Sequence, residues 1–240
     1  MSGAAPVLVT GVGQRVGLHL ARAFLGRGTP VIGTYRTERE GVRALAAAGA
    51  ELVQVDFYDA GAVDALVTAV TSKHRRLRAL IHNASDWLAE GGEVPPEGVL
   101  RRMMAVHVEA PYRLNLALAP LLEANADAGA GADIIHFGDY VSGRGSRKHI
   151  AYAASKAAQD NLTFSFAAKL APRVKVNSIA PALIAFNEGD DEAYRRKAVA
   201  KNLLGREAGY DEVLGAVDWL MASTFVTGRI IPLDGGRHLA

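Results

Sequence analysis

Short apolar runs alternate along the chain with longer stretches in which apolar residues recur at helical spacing. The predicted strands cover residues 7–9, 30–34, 52–55, 79–82, 133–137, 174–179 and 229–233. The clearest of about six predicted helices cover residues 16–25, 38–48, 60–73, 99–123 and 150–170. The connections between the early strands are long enough for helical crossovers, which favours a parallel sheet. The pattern predicts an α/β fold: a single-domain, Rossmann-like, doubly wound parallel sheet of about seven strands with helices on both faces.

No Gly/Ser-rich or Pro-rich linker divides residues 1–240, so we expect one domain. One long stretch, residues 185–209, has no predicted strand or helix and is rich in charged side chains. A long loop inside a compact domain is often a lid or a binding loop. We therefore expect a substrate lid at 185–209, with a merely solvated insertion as the alternative.

Composition narrows the possible partners. Hydrophobic residues make up 50% of the 240 residues, charged residues make up 22%, and the net charge is only +2. This balance is typical of a globular protein and favours a small-molecule partner over nucleic acid or a membrane surface. The chain has no Cys, and its seven His form no metal-ligand spacing, so we expect neither thiol chemistry nor a metal site. The N-terminus does not resemble a signal peptide and no apolar run reaches about 18 residues, which predicts a cytoplasmic protein.

A glycine-rich turn, Thr10–Gly17, follows the first predicted strand and leads into the first predicted helix. In that position its backbone N–H groups and the helix dipole suit a pyrophosphate, although the glycines could serve packing alone. The second strand leads into Tyr35, Arg36 and Thr37 without an acidic residue. An Arg there favours the 2′-phosphate of NADPH over the 2′-hydroxyl of NADH. Alternatively, Arg36 and Thr37 are plain loop residues and Arg39 takes this role.

Tyr152 and Lys156 are four residues apart in a predicted helix, which places the phenol and the ammonium on one face. At about 4 Å and an effective dielectric constant near 20, their coupling is on the order of 4 kcal/mol. This corresponds to at most roughly three pKa units, so the pair predicts a phenol whose pKa is lowered toward neutral.

These motifs together resemble the short-chain dehydrogenase/reductase family. The matching segments are the glycine turn, Asn83-Ala84, the Tyr152/Lys156 pair, residues 177–181, and the tail segments 226–228 and 234–236. The resemblance implies that NADPH is bound by Gly11, Gly13, Gln14, Arg15, Val16, Gly17, Tyr35, Arg36, Thr37, Asp56, Phe57, Asn83, Ala84, Ser85, Lys156, Pro181 and Leu183. It also implies a homo-oligomer, specifically a tetramer built through the two longest helices.

Three positions depart from the family pattern. Arg15 stands where the turn usually has a glycine, Asp139 stands at the position of the catalytic Ser, and His107 stands at that of a common Asn. Asp139, Arg15 and an aromatic residue shortly after Asn83-Ala84-Ser85, here Trp87, resemble the pteridine reductases. The narrower resemblance implies NADPH-dependent reduction of 7,8-dihydropterins, such as 7,8-dihydromonapterin, with dihydrofolate as a further substrate.

The reaction implied is reduction of the N5=C6 imine, with hydride delivered to C6 and a proton to N5. Tyr152, Lys156 and Asp139 are the expected catalytic residues, and Asp139 would either bind the amino-pyrimidine edge or relay a proton. The substrate would be held by Arg15, Ser85, Trp87, Asp139 and Tyr152, with Trp87 stacking on the pterin ring. Trp87 could instead be an ordinary core or interface aromatic, and Arg15 could be a ligand of the pyrophosphate or a partner of Asp139. We expect His107 to be a structural hydrogen-bonding residue in place of the Asn, with a general acid as the alternative. Two other functions stay open: a carbonyl or alcohol dehydrogenase of the same fold, and a non-catalytic NADPH sensor.

Overall fold

The computed structural model describes residues 4–240 and contains one seven-stranded sheet in the order β3-β2-β1-β4-β5-β6-β7. The strands are β1 Val7–Val9, β2 Val31–Tyr35, β3 Glu51–Gln54, β4 Ala79–His82, β5 Asp133–Phe137, β6 Lys175–Pro181 and β7 Arg229–Leu233. Each neighbouring pair is parallel. The predicted parallel α/β sheet is therefore confirmed. Four strands have the predicted boundaries, and those of β2, β3 and β6 differ by one or two residues.

Over residues 4–240, eight α-helices connect the strands, compared with the prediction of about six. They are α1 Arg15–Gly26, α2 Glu40–Ala47, α3 Ala60–Lys73, α4 Pro96–Met104, α5 Ala110–Asp127, α6 Ile150–Leu170, α7 Glu192–Val199 and α8 Tyr210–Ala222. The single helix predicted at 99–123 is instead α4, a π-helical turn over Ala105–Glu109, and α5. Pro111 explains the wider turn, because proline has no N–H for the carbonyl of His107 and its ring crowds that carbonyl.

The sheet is buried on both faces. On one face, Leu80 and Ile134 pack with Leu114 of α5 and Phe166 of α6. On the other face, α1 and α8 cover a second cluster that includes Ile81. Strands that are covered on both faces carry continuous apolar runs, and such runs made these strands predictable from the sequence.

The segment 185–209 contains the helix α7, so the prediction of an irregular stretch was wrong in this part. No residue of α7 is buried. A helix that packs on a core shows an apolar stripe at helical spacing, and this exposed, charged helix has none, so its sequence does not predict it. Asp191 caps its N-terminus by accepting a hydrogen bond from the backbone N–H of Tyr194. Within residues 4–240, no helix combines the length and apolar character needed to cross a bilayer.

Candidate active site

The candidate site lies at the carboxyl ends of β1 and β4, where the strand order reverses and an open parallel sheet forms a crevice. Asn83 fastens the two strand ends together, since its side-chain amide donates to the carbonyl oxygens of Thr10 and Gly11, both at 2.9 Å. The Thr10 hydroxyl accepts hydrogen bonds from the backbone N–H groups of Asn83 and Ala84. These bonds hold the glycine turn in a fixed position against the fourth strand.

The glycine turn has the shape and the free donors that a phosphate group needs. Gly11 has φ +75°, and a Cβ at Gly17 would lie 2.2 Å from the Gly11 carbonyl oxygen, so neither position accepts a side chain without rearrangement. Arg15 adopts the left-handed conformation with φ 53°, which suits the glycine that the family usually has there. Helix α1 starts at this point without a side-chain cap and without an acidic residue in its first turn. Its first N–H groups can therefore bind an anion.

A cavity of about 310 Å³ extends from this turn along the ends of β1, β2, β3 and β4. Most of the predicted cofactor residues line it: Gly11, Gly13, Gln14, Arg15, Val16, Tyr35, Arg36, Thr37, Asp56, Phe57, Asn83, Ala84 and Ser85. Sequence reasoning gave no binding role to five further lining residues, Thr34, Val55, Tyr58, Asp86 and Val106. Gly17 is absent from the lining because it packs against the turn itself. The uncapped helix and the glycines that exclude side chains fit a dinucleotide lying in this cavity.

The predicted 2′-phosphate ligand Arg36 has an acidic partner in the structure. Its guanidinium donates to Asp86 at 3.0 Å, and the Tyr58 hydroxyl donates to the same carboxylate oxygen at 2.6 Å. The hydrogen bond to Asp86 raises the pKa of Arg36. Burial opposes the ionised form of Asp86, but the bonds from Tyr58 and Arg36 outweigh it and lower the pKa of this carboxyl group. A phosphate that binds Arg36 must therefore compete with Asp86.

Asp139, Tyr152 and Lys156 meet near the ends of β5 and α6. The Tyr152 hydroxyl donates to Asp139 Oδ2 at 2.7 Å, and Asp139 Oδ1 accepts from the backbone N–H of Val141 at 2.8 Å. Lys156 is buried, with Nζ donating to the Phe137 carbonyl at 2.6 Å and lying 5.8 Å from the centre of the Tyr152 ring. The structure thus brings the three predicted catalytic side chains together.

The electrostatics differ from the sequence-based expectation for the phenol. Burial, followed by the charge and hydrogen bond of Asp139, raises the pKa of Tyr152, so the prediction of a lowered value was wrong for this arrangement. The polar side chain of Ser85 acts in the opposite direction and lowers this pKa. Burial lowers the pKa of Lys156 to about 8, although the charges of Asp139 and Asp160 raise it. The reason for the difference is that desolvation and the nearby Asp139 carboxylate dominate the pKa of the phenol, while the Lys156 ammonium lies 5.8 Å from the centre of the ring.

His107 is fully buried and joins two serines. Its Nε2 lies 2.8 Å from Ser85 Oγ, and its Nδ1 lies 2.8 Å from Ser155 Oγ. The ring also meets the Tyr152 ring edge to face, with 5.4 Å between the centres. Burial, with the Lys156 charge adding to it, lowers the pKa of His107 to about 2, so the ring is neutral.

Two predicted substrate residues have other contacts in this structure. Trp87 is 62% exposed and stacks on His149 with ring centres 4.3 Å apart, which excludes the alternative of a core aromatic. Arg15 does not pair with Asp139; its guanidinium donates to Asn187 Oδ1 and to the Ala185 carbonyl, both at 2.7 Å. Arg15 thus connects the glycine turn to the beginning of the predicted lid.

The last two predicted cofactor residues lie on the far side of the site. Pro181 ends β6, opposite Leu233 of β7. The carbonyl of Leu183 accepts a hydrogen bond from the backbone N–H of Ala208, which brings the two ends of segment 185–209 together. Leu183 also lines a second cavity, of about 80 Å³, beneath this segment. Neither residue lines the main cavity.

The chain is similar to known reductases over nearly its full length. A family model described as enoyl-(acyl carrier protein) reductase matches residues 11–238. The dihydromonapterin reductase of Escherichia coli O6:K15:H31 (strain 536 / UPEC) is 53% identical over 234 residues, which cover 98% of this chain and 97% of the relative. The dihydromonapterin reductase of Klebsiella pneumoniae subsp. pneumoniae has the same identity and coverage. A solved structure, FolM alternative dihydrofolate reductase 1 from Brucella canis complexed with NADP, has a TM-score of 0.86 and 28% identity, covering 98% of this chain and 94% of the other.

Proposed function

The chain belongs to the short-chain dehydrogenase/reductase family, and on that basis we propose that it reduces 7,8-dihydropterins with NADPH, with 7,8-dihydromonapterin as the main substrate and dihydrofolate as a further one. The observation that carries the proposal is the hydrogen bond between Tyr152 and Asp139, at 2.7 Å. A carboxyl group at this position suits a substrate rich in N–H groups, because a carboxylate accepts hydrogen bonds and does not polarise a carbonyl oxygen as a hydroxyl does. The relatives named dihydromonapterin reductase support the same substrate class.

NADPH supplies the hydride for C6 of the dihydropterin. The uncapped N-terminus of α1 and the turn Gly11–Gly17 bind its pyrophosphate, and Arg36 binds its 2′-phosphate. Lys156, whose buried ammonium is near the phenol, holds the nicotinamide ribose. The solved NADP complex of the related FolM protein supports this choice of cofactor.

The second half of the reaction is delivery of a proton to N5. Tyr152 keeps its proton in the free protein because burial and Asp139 raise its pKa, so it enters the reaction as an acid. As hydride reaches C6, N5 becomes basic and takes the proton of the phenol. Asp139 aligns the hydroxyl, and the Lys156 ammonium stabilises the phenolate that remains. Proton uptake from solvent then restores the phenol.

Trp87 and the segment 185–209 complete the substrate site in this proposal. The exposed indole offers a flat face for the pterin, against which the ring can stack. Segment 185–209 serves as a lid, and the bonds from Arg15 to Asn187 and Ala185 link it to the cofactor turn. A loop fastened to the cofactor site can respond to cofactor binding.

The protein acts as a tetramer in the cytoplasm in this proposal. Tyr112, Leu116 and Phe164 are exposed apolar side chains on α5 and α6, and Trp219 lies on α8. Exposed apolar surface of this kind is typical of a subunit interface. Sedimentation equilibrium should give about four times the chain mass of 25.4 kDa, and a monomer would contradict this part of the proposal.

The experiment that tests the function follows NADPH absorbance with 7,8-dihydromonapterin, 7,8-dihydrobiopterin and dihydrofolate in parallel. Tyr152→Phe is the blank, because it keeps the ring but lacks the acidic proton. We expect the highest turnover on the free dihydropterins and its loss in the variant. Turnover of ketones or alcohols in place of dihydropterins would favour a carbonyl dehydrogenase. NADPH binding without any turnover that depends on Tyr152 would favour a sensor.

A further inference from the structure

The helix that carries Tyr152, α6, begins without a cap of its own. The side chain of its N-cap residue, His149, makes no capping hydrogen bond, and the first turn contains no acidic residue. The first backbone N–H groups of a helix have no acceptor within that helix, so they need one from outside it. A distant carboxylate supplies it: Glu90 accepts from the N–H of Ile150 at 2.8 Å and, with its other oxygen, from the N–H of Ala151 at 2.7 Å.

The segment 87–90, which we call the loop clamp, holds the same helix end by further contacts. His149 Nδ1 lies 3.1 Å from the Leu88 carbonyl oxygen, and because a carbonyl only accepts, the ring donates there. The indole of Trp87 stacks on the same His149 ring. Leu88 and Tyr152 pack against one small apolar cluster. The loop clamp therefore joins the exposed indole to the first turn of α6.

That first turn contains the proton donor of the proposed mechanism. Tyr152 is the third residue of α6, and its hydroxyl lies 2.7 Å from Asp139 Oδ2. Helix ends fray, and fraying of this turn would move the phenol away from the carboxylate. The bonds from the backbone N–H groups of Ala151 and Ile150 outweigh the effect of burial and lower the pKa of Glu90. An ionised carboxylate at a helix N-terminus also interacts favourably with the helix dipole, which strengthens this cap.

We propose that Glu90 is a positioning residue, which caps α6 from the loop clamp and so keeps the Tyr152 hydroxyl aligned with Asp139. The catalytic consequence rests on the proposed function, whereas the cap itself does not. Glu90 does not line the main cavity, so it acts through Tyr152 and not on the cofactor or the substrate. The same loop also carries Trp87, so a single segment fixes the stacking surface and the acid relative to each other.

Hydrogen exchange tests the cap without any turnover. In the NADPH-bound protein, we expect the backbone N–H groups of Ile150 and Ala151 to be protected, and Glu90→Ala should speed their exchange by about 2- to 30-fold, the range for loss of a helix N-cap. Glu90→Gln should have a smaller effect, since its amide oxygen still accepts one of the two bonds. Glu93→Ala is the matched control, because Glu93 is an exposed carboxylate in the same loop. Exchange that is equally fast in the wild type and in Glu90→Ala would refute the cap.

Kinetics with 7,8-dihydromonapterin test the consequence for the reaction. We expect Glu90→Ala to lower kcat about 10-fold, since a displacement of about 1 Å in a site costs up to about 100-fold, with Kd for NADPH unchanged. The solvent isotope effect on kcat should rise, because a misaligned phenol slows the proton step, and Glu90→Gln should recover part of kcat. A merely structural cap would lower the Tm but leave kcat and its isotope effect as in the wild type at 25 °C.

The two experiments separate this inference from the proposed function. Dihydropterin turnover in the wild type with an unchanged kcat in Glu90→Ala would overturn the inference and leave the proposed function standing. A wild-type protein without dihydropterin turnover would overturn the proposed function, and with it the catalytic consequence of the cap. Hydrogen exchange at Ile150 and Ala151 would then still decide whether Glu90 holds the first turn of α6.

Discussion

Replacing Arg36 by alanine should weaken NADPH binding about 5- to 30-fold and leave NADH binding nearly unchanged. A charge-assisted hydrogen bond from Arg36 to the 2′-phosphate contributes about 1.5–3 kcal/mol. In the free protein the same guanidinium is paired with Asp86 at 3.0 Å and its side chain is 54% exposed. An exposed pair of this kind contributes roughly 0–1 kcal/mol, which the phosphate must displace. The difference between these two contributions is about 0.5–3 kcal/mol. The middle of that range, about 1–2 kcal/mol, gives the expected factor in Kd.

Isothermal titration calorimetry of each variant with NADPH and with NADH, all at the same salt concentration, measures both affinities. Arg43→Ala is the matched control, because Arg43 is also exposed and paired, with Glu38 at 3.2 Å, but does not line the cavity. Asp86→Asn should act in the opposite direction and strengthen NADPH binding by up to about fivefold, since it removes the competing charge. The assignment of Arg36 would be refuted if Arg36→Ala weakened NADPH and NADH binding equally. It would also be refuted if Arg43→Ala weakened NADPH binding as much as Arg36→Ala does.

Three further predictions concern catalysis, the glycine turn and acid stability. Asp139→Ser should lower kcat on dihydropterins by at least about 100-fold with NADPH affinity retained, and unchanged turnover would contradict its role. Gly17→Ala should lower the Tm by several degrees and weaken NADPH binding, because its Cβ would lie 2.2 Å from a carbonyl oxygen; Gly26→Ala, with open space around it, is the control. Burial lowers the pKa of His82 to about 4 and of His107 to about 2, and that of His136 well below its usual value. The unfolded chain therefore binds more protons than the folded protein below pH 6.5. The free energy of unfolding, measured in urea, should be lower at pH 5.5 than at pH 7.5 by on the order of 1.4 kcal/mol per histidine. Equal free energies of unfolding at the two pH values would refute the burial argument.

Features that depend on short-range spacing were predictable from the sequence. Alternating strands and helices predicted the parallel sheet, and the glycine turn was correctly assigned to the junction between β1 and α1. The pairing of Tyr152 with Lys156 follows from helix geometry alone, because residues four apart share a face. The helix α7 was not predicted, because it buries no residue and so lacks the apolar stripe by which the other helices were recognised.

Features that join distant parts of the chain were decided by the tertiary structure. The Arg36–Asp86 pair spans 50 residues and the Arg15–Asn187 bond spans 172, so no local pattern contains them. The strand order brings the ends of β2 and β4 to the same edge as β1, and this places their side chains within reach of one another.

The sequence by itself determined which chemical groups the site contains, while the fold determined their pKa values and their hydrogen-bond partners. Spacing predicted a phenol beside an ammonium, but burial together with Asp139 raises the pKa of Tyr152 instead of lowering it. His107 was visible as a departure from the family pattern, yet only the fold shows that its ring lies between the hydroxyl groups of Ser85 and Ser155. The physical reason is that helical and strand periodicity are local properties of the chain, whereas desolvation and hydrogen-bond direction depend on every element that packs around a group.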